Sequence, residues 1–415
     1  MKDNQAKYPQ LRFKGFTDPW EKRTLGQTTT KAKSYSLSRD VERNHETGYR
    51  YIHYGDIHTG VADIVTEHTK LPNIEPANYD ELRVNDLVVA DASEDYQGIA
   101  EPAVVVGLPT HLVAGLHTIT LRPSSASSLY LYYLLHTDSF KHFGYQMGTG
   151  LKVFGISWSN LSKFTFMIPS RPEQEMIVKL IESVDNLIAV NQRKLAKLKE
   201  LKQGYLQKLF PKNGSKFPQL RFAGFADAWE ERKLQEVLRE RNNQQPQSME
   251  YPLVSFTVEN GVTPKTDRYE REQLVVGDKS SKKYKVTVLN DIVYNPANLK
   301  FGAISRNKYG NAVFSPIYIT FLVNNDVTTP EFIEMLVTRN DFIKRALKYQ
   351  QGTVYERQSV SPTDLLAMNV YLPGKSEQEK IGSFFQQLDE TIALHQRKLE
   401  KLQELKKGYL QKMFC

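Results

Sequence analysis

Residues Glu173–Phe210 read EQEMIVKLIESVDNLIAVNQRKLAKLKELKQGYLQKLF, and residues Glu377–Phe414 read EQEKIGSFFQQLDETIALHQRKLEKLQELKKGYLQKMF. Every residue of the first stretch lies 204 positions before its counterpart, so the copy contains no gap. The blocks QRKL and GYLQK recur at identical places. Because an internal repeat outweighs other sequence signals for architecture, this repeat is the starting point for the fold.

Apolar residues recur every three or four positions in both stretches, which predicts two long amphipathic helices. The predicted stripe of the first helix contains Ile177, Leu180, Ile181, Val184, Leu187, Ile188, Asn191, Leu195, Leu198, Leu201, Tyr205 and Leu209. The predicted stripe of the second contains Ile381, Phe384, Phe385, Leu388, Ile392, His395, Leu399, Leu402, Leu405, Tyr409 and Met413. Each helix would be roughly 57 Å long, and its stripe needs a partner. We expect the helices to pair as an antiparallel coiled coil, with Asn191 and His395 in one layer.

A second repeat opens each half of the chain. Residues 9–21 read PQLRFKGFTDPWE, and residues 218–230 read PQLRFAGFADAWE, 209 positions later. The chain therefore consists of two tandem halves, each a globular part followed by a long helix. The predicted domains are residues 1–168, a central helix at 169–212, residues 213–372, and a C-terminal helix at 373–415.

The middle of each half has diverged. The segments Asp86–Asp91 and Asp291–Asn295 predict strands, and residues 128–145 and about 330–349 predict helices. The predicted fold class is α+β, with two mixed α/β domains separated by the long helices. Constant ends with divergent middles indicate one scaffold that presents two different surfaces.

Composition narrows the class of protein. The net charge of +8 permits binding to a polyanion without proving it. No run of about 18 apolar residues occurs and the first residues have no hydrophobic signal core, so we expect a cytoplasmic protein without a membrane partner. The single cysteine, Cys415, excludes intramolecular disulfides and fits a reducing compartment.

Catalytic motifs are weak. Gly148-Thr-Gly150 lacks the spacing of a phosphate-binding loop, and Asn295-Pro-Ala-Asn298 lacks the aromatic residue of the motif found in amino-methyltransferases. The histidines at 45, 53, 58 and 68 have no helical metal-ligand spacing; a base- or phosphate-contacting loop, ordinary surface histidines and a metal site remain open. We therefore predict no catalytic residue and no metal site in this chain.

The duplicated Glu-Gln-Glu helix that ends in GYLQK, together with the PQLRF start of each half, resembles the specificity subunits of Type I restriction–modification systems. DLVVAD at 86–91 and LHTITLRP at 116–123 also look like the target-recognition domains of that family. The resemblance covers nearly the whole chain. It implies a non-catalytic subunit that recognises a bipartite, asymmetric site in double-stranded DNA and directs the methyltransferase and restriction subunits to it. Two methyltransferase subunits would dock on the helices, and restriction subunits would bind through them. S-adenosylmethionine, ATP and Mg would belong to those partners, with no cofactor on this chain.

The divergent loops are the predicted DNA-binding sites. The candidates are Tyr51, His53, Tyr54, Tyr96, Gln97 and Lys152 in the first half, and Lys282, Lys283, Asn298, Lys300, Arg306, Lys308, Tyr355 and Arg357 in the second. The candidate partner-binding residues recur on the two helices: Arg193, Lys197, Glu200 and Gln207, with their copies Arg397, Lys401, Glu404 and Gln411.

Other classes of protein remain as alternatives. A non-catalytic coiled-coil scaffold would explain the helices but not the divergent loops. An RNA-binding protein would usually carry an aromatic-rich strand motif that is missing here. A stand-alone nuclease or methyltransferase is disfavoured by the missing motifs. Binding to duplex against single-stranded nucleic acid discriminates among these classes.

Overall fold

A computed structural model describes residues 8–95, 98–150, 153–212, 215–264, 282–352 and 358–414. The chain forms two compact units. Unit 1 comprises Met1–Arg193 with Arg397–Cys415, and unit 2 comprises Lys194–Gln396. Among the described residues, no helix is both long enough and apolar enough to cross a membrane.

Unit 1 is mixed α/β. Its strands are β1 (Glu21–Thr24), β2 (Thr29–Ala32), β3 (Glu42–Arg43), β4 (Tyr49–Ile52), β5 (Ile64–Val65), β6 (Asn73–Ile74), β7 (Leu87–Ala90), β8 (Ala92–Ser93), β9 (Pro102–Val105), β10 (His111–Ala114), β11 (Thr118–Pro123), β12 (Phe154–Gly155) and β13 (Thr165–Ile168). Its helices are α1 (Leu25–Thr28), α2 (Tyr54–His58), α3 (Ser128–Leu134), α4 (Asp138–Met147), α5 (Trp158–Leu161) and the start of α6 (Arg171–Lys208).

A five-stranded sheet in the order β2-β11-β7-β9-β5 is the centre of unit 1. Successive side chains of a strand point to opposite faces, and β7 is buried on both. Leu87 and Val89 join a core with α3, α4, the start of α6 and the last residues of the chain, whereas Val88 and Ala90 join a second core with Ile52 and α2. This second face carries the four-stranded sheet β10-β4-β6-β3 and the divergent loops.

Unit 2 repeats the plan. Its strands are β14 (Glu230–Lys233), β15 (Leu238–Glu240), β16 (Gln244–Gln245), β17 (Val254–Thr257), β18 (Gly261–Pro264), β19 (Tyr284–Thr287), β20 (Ile292–Tyr294), β21 (Ile304–Arg306), β22 (Ala312–Phe314), β23 (Ile319–Val323) and β24 (Asn369–Leu372). Its helices are the end of α6, α7 (Leu234–Val237), α8 (Pro330–Val337), α9 (Asn340–Ala346), α10 (Pro362–Leu366) and the part of α11 (Lys375–Lys412) that runs as far as Gln396. The main sheet has the order β15-β23-β20-β21.

The strand pattern of the two units matches at the level of single contacts. β4 pairs with β10 in parallel, and Leu253, next to β17, forms a parallel bridge to Val313 of β22. The residue two positions before β7, Asn85, has φ of 76°, and its counterpart before β20, Asn290, has φ of 73°. Both are asparagines, which tolerate this left-handed conformation better than most residues. These contacts identify β4, β7 and β10 as the counterparts of β17, β20 and β22.

The two sequence repeats meet in each unit. Arg12 of the first PQLRF segment forms a bidentate ion pair with Glu173 at 2.7 and 2.9 Å, and the backbone N–H of Leu11 donates to the carbonyl of Lys412 at 2.8 Å. In unit 2, Arg221 binds Glu377 at 2.7 Å through both nitrogens, and Leu220 N–H donates to the carbonyl of Lys208 at 2.9 Å. Each PQLRF segment thus contacts the start of one long helix and the end of the other.

Two predictions about helices are corrected. The predicted helix at 128–145 is two helices, because the hydroxyl of Thr137 accepts a hydrogen bond from Phe140 N–H and starts α4 after a break. The predicted helix at about 330–349 likewise consists of α8 and α9. In the long helices, most of the predicted stripe is buried or half-buried, but Leu187, Leu201 and Leu405 are exposed, at 49%, 50% and 42%.

Candidate nucleic-acid interface

Each unit has a cleft at the carboxyl end of its central strand. In both units the cleft lies between the loop after that strand and the end of a second strand, β4 in unit 1 or β17 in unit 2. The cleft of unit 1, here called cleft 1, has a volume of about 630 Å³. The cleft of unit 2, cleft 2, has a volume of about 340 Å³. The matching strand pattern puts the two clefts in equivalent positions of the two units.

Cleft 1 is polar and charged. It is lined by Arg39, His53, Tyr54, Gly55, His58, Thr59, Ser93, Glu94, Asp95, Gly98, Glu101 and Lys141. Tyr54 is its aromatic centre, with ring centroids 4.4 Å from His53, 5.8 Å from His58 and 5.3 Å from His117. Carboxylates, a lysine and imidazoles together supply both hydrogen-bond donors and acceptors.

The pKa values of two histidines in cleft 1 are shifted in opposite directions. Burial, and then the charge of Arg39, lower the pKa of His53. The ring is therefore neutral near pH 7, which agrees with Nδ1 accepting a hydrogen bond from Gly55 N–H at 3.1 Å. The Glu101 carboxylate, 3.4 Å from Nδ1 of His58, raises the pKa of His58 against the effect of burial. His58 Nε2 donates to the carbonyl of Ala92 at 2.9 Å, which links α2 to β8.

Cleft 2 has different chemistry. It is lined by Phe256, Val258, Asn295, Asn298, Phe301, Ala303 and Tyr318, and within the described chain none of its lining residues is charged. Residues Leu299–Phe301 form one 3-10 turn, and Gly302 closes it with φ of 85°, a left-handed conformation that favours glycine. The walls are aromatic: the rings of Phe256 and Tyr318 lie 5.9 Å apart.

The structure divides the predicted DNA-binding residues of unit 1. Tyr54 lines cleft 1 and is half-buried, and His53 lines it as a buried residue. Tyr51 is completely buried, and its hydroxyl donates to Glu42 at 2.9 Å. A direct base contact by Tyr51 is incompatible with this position, because β4 points its side chain into the protein. Tyr96, Gln97 and Lys152 lie outside the described residues.

The predicted residues of unit 2 are also divided. Asn298 is exposed in cleft 2, Lys300 lies on the same turn, and Lys282 and Lys283 are exposed. Arg306 instead pairs with Glu331 and Glu334 of α8, and Lys308 pairs with Glu334 at 2.8 Å. The Arg306 side chain is 15% exposed and that of Lys308 is 61% exposed, and DNA contact by either residue stays a prediction. Tyr355 and Arg357 lie outside the described residues.

Sequence reasoning missed several residues that line the clefts. They include Glu94 and Lys141 in cleft 1, and Phe256, Val258, Phe301 and Tyr318 in cleft 2. One of them had a usable signal, because Phe301 lies in the loop that already supplied Asn298 and Lys300. His58, which the sequence analysis considered only within a group of four histidines, lines cleft 1 one helical turn after Tyr54. The described residues contain no group of three or more His, Cys, Asp or Glu that could hold a metal ion.

The predicted partner-binding residues of the long helices all lie on the exposed surface. They are Arg193, Lys197, Glu200, Gln207, Arg397, Lys401, Glu404 and Gln411. One of them, Gln411, donates to Asp138 of α4 at 2.9 Å. Exposed Leu201 and its copy Leu405 lie one turn after Lys197 and Lys401.

Comparison with known proteins identifies the class. A family model described as the Type I restriction modification DNA specificity domain matches residues 17–200 and 226–404. The chain therefore belongs to the family of Type I restriction–modification DNA specificity proteins, with one copy of the domain in each half.

Its relatives carry the corresponding names. The putative Type I restriction enzyme MjaX specificity subunit of Methanocaldococcus jannaschii is 22% identical over 371 residues, which cover 84% of this chain and 83% of that protein. The Type I restriction enzyme MjaVIII specificity subunit of the same organism is 22% identical over 409 residues, which cover 94% and 91%. The S subunit of a Type I restriction–modification system from M. genitalium has a similar fold, with a TM-score of 0.56, 15% identity, and coverage of 98% of this chain and 99% of that one.

Proposed function

We propose that this protein recognises a bipartite, asymmetric site in double-stranded DNA, with one half-site read by each unit. It is a non-catalytic subunit that directs methyltransferase and restriction subunits to that site. S-adenosylmethionine, ATP and Mg belong to those partners, which act with it in the cytoplasm. The observation that carries the proposal is the pair of equivalent clefts, because they share one framework but differ in chemistry. Two clefts in equivalent positions but with different lining residues can each recognise a different base sequence.

The test is a map of methylated adenines in host DNA with and without this protein. Methylation that depends on the protein should occur at one sequence made of two unlike halves with a constant gap. If every methylated site remained after this protein is deleted, the proposal would be contradicted. Preference of the purified complex for single-stranded RNA over duplex DNA would favour the RNA-binding alternative.

The constant gap would come from the two long helices paired as an antiparallel coiled coil. In unit 1, Lys406 of α11 binds Asp185 of α6 at 2.6 Å, and in unit 2, Lys202 of α6 binds Asp389 of α11. Each contact lies within one unit and joins the first half of one long helix to the second half of the other, which supports the antiparallel direction. Asn191 is buried, and a shared layer with His395 remains a prediction. Insertion of whole heptads into both helices should lengthen the gap without changing either half-site, and an unchanged gap would contradict this role.

Two methyltransferase subunits would dock on duplicated faces of the helices. Three kinds of repeated residue support this: the exposed polar candidates, the exposed leucines Leu201 and Leu405, and the glycines Gly204 and Gly408. Apart from the adjacent residues and the nearby backbone of its own helix, a methyl group at either glycine would meet no atom of the described chain within 4 Å. Glycine inside a helix destabilises it by about 1 kcal/mol relative to alanine, so internal packing does not explain these two. Close approach of a partner to the helix backbone does explain them.

A further inference from the structure

Cleft 2 has surface features that folding does not account for. Phe301 is 65% exposed and Val258 is 54% exposed, although both border an apolar cleft. The side chain of Asn298 caps no helix and makes no hydrogen bond to other described residues. Exposed apolar surface and an unused carboxamide at the same place are typical of a binding site rather than of a structural turn.

The turn that carries these residues is rigid. Asn298 N–H donates to the carbonyl of Asn295, and the N–H groups of Phe301 and Ala303 donate to the carbonyl of Asn298. Gly302 ends the turn in a left-handed conformation and packs near Val258, because an added Cβ there would lie 3.7 Å from a methyl group of Val258. Asn298, Phe301 and Val258 are therefore held as a preformed set.

The chemistry of this set selects one kind of base pair. An asparagine carboxamide can accept a hydrogen bond from N6 of adenine and donate one to N7, and apolar side chains contact the C5-methyl group of thymine. Both groups lie in the major groove on an A·T pair. A carboxylate, which would select the amino group of cytosine, is absent from the described lining of cleft 2, whereas cleft 1 contains Glu94, Asp95 and Glu101.

We propose that cleft 2 reads an A·T pair of the second half-site from the major groove, with Asn298 on adenine and Phe301 with Val258 on the thymine methyl group. This inference rests on the proposed function, since it names the base pair that the second unit recognises. Duplex DNA is the favoured occupant because cleft 2 lacks negative charge among its described lining residues and Lys300 lies on the same turn, with Nζ 5.2 Å from the Phe301 ring. A protein surface remains an outcome of the test.

The test uses the full chain assembled with its methyltransferase partners. Half-site preference is measured for the wild type, Asn298→Ala, Phe301→Ala and the control Asn311→Ala, an exposed residue that does not line cleft 2. Asn298→Ala should lower discrimination at one A·T pair of the second half-site by about 5- to 140-fold, and the first half-site should be unchanged. Unfolding temperatures of the variants check that the exposed substitutions leave the fold intact.

Modified bases identify the contacting atoms. At the pair that Asn298→Ala relaxes, 7-deazaadenine removes the N7 acceptor and deoxyuridine removes the thymine methyl group. The wild type should lose affinity with each, by about 4-fold for the single methyl group. Asn298→Ala should be insensitive to 7-deazaadenine, and Phe301→Ala, which keeps Val258, should be less sensitive to deoxyuridine than the wild type.

Four results would overturn the inference. If Asn298→Ala lowered the affinity for all DNA sequences equally, Asn298 would contact the phosphate backbone. If the variant lost preference at a G·C pair, the proposed A·T pair would be wrong. Unchanged specificity would remove cleft 2 from the DNA interface, and loss of subunit assembly would make it a protein-docking surface. The proposed function is tested separately, because its failure would appear in the wild-type complex itself as a lack of sequence-specific methylation.

Discussion

Alanine at Gly204 and Gly408 should change the stability of the free chain and the affinity for its partner in opposite directions. Each glycine lies inside a 38-residue helix, and beyond the adjacent residues and the nearby backbone of that helix an added methyl group meets no described atom within 4 Å. No strain opposes the substitution, so the helix propensity acts alone. Alanine is favoured over glycine by about 1 kcal/mol at each site. The free energy of unfolding of the double variant should therefore be about 2 kcal/mol higher than that of the wild type.

Assembly should respond with the opposite sign. If the partner approaches the helix backbone at these glycines, a methyl group separates the two surfaces and forfeits packing around Leu201 and Leu405. Gly204→Ala or Gly408→Ala alone should leave one methyltransferase subunit per chain, and the double variant should leave none at concentrations that saturate the wild type. Urea unfolding measures the first effect, and native mass spectrometry of the mixed subunits measures the second.

A control separates helix stability from docking. Ser183→Ala also raises helix propensity at an exposed position of α6, where the hydroxyl bonds only to the carbonyl of Lys179. It should stabilise the chain slightly and leave the stoichiometry at two. A double glycine variant that is stabilised yet binds two subunits as the wild type does would refute the docking argument. A destabilised double variant would refute the propensity argument instead.

Two further predictions concern single contacts. Arg221→Ala removes the ion pair of the Glu377 carboxylate, whose side chain is 2% exposed. Urea unfolding should then show a free energy of unfolding lower by about 3–5 kcal/mol. A decrease below about 1 kcal/mol would contradict a stabilising role for this ion pair. Glu101→Gln removes the main cause of the raised pKa of His58, so an NMR titration should show a lower pKa in the variant. Because the raised pKa favours the protonated folded form, the contribution of His58 to stability should be complete below about pH 6.5 and lost as the pH rises through the raised pKa. An unchanged His58 pKa in the variant would exclude the carboxylate as the cause.

Much of the architecture follows from the sequence because repeats and periodicity are local properties. The 204-residue offset identified two equivalent long helices, and the helices α6 and α11 begin at Arg171 and Lys375, two residues after the predicted starts. Polar residues at the repeated surface positions such as Lys197 and Lys401 were expected to be exposed, and they are. The same periodicity wrongly put Leu201 and Leu405 in the buried stripe, because a 3.6-residue spacing does not say how wide the covered face is.

The tertiary structure decided which distant residues meet. Arg12 and Glu173 are 161 positions apart, and nothing in their spacing identifies them as an ion pair. Tyr51 and Tyr54 both lie in one aromatic run, yet β4 turns the first into the core and α2 brings the second to cleft 1. Two repeated domains with long helices can be predicted from the sequence, since helix propensity and periodicity depend on neighbouring residues. The lining of each cleft depends on side chains from separate segments, such as Phe256, Asn298 and Tyr318, which come together only when the chain folds.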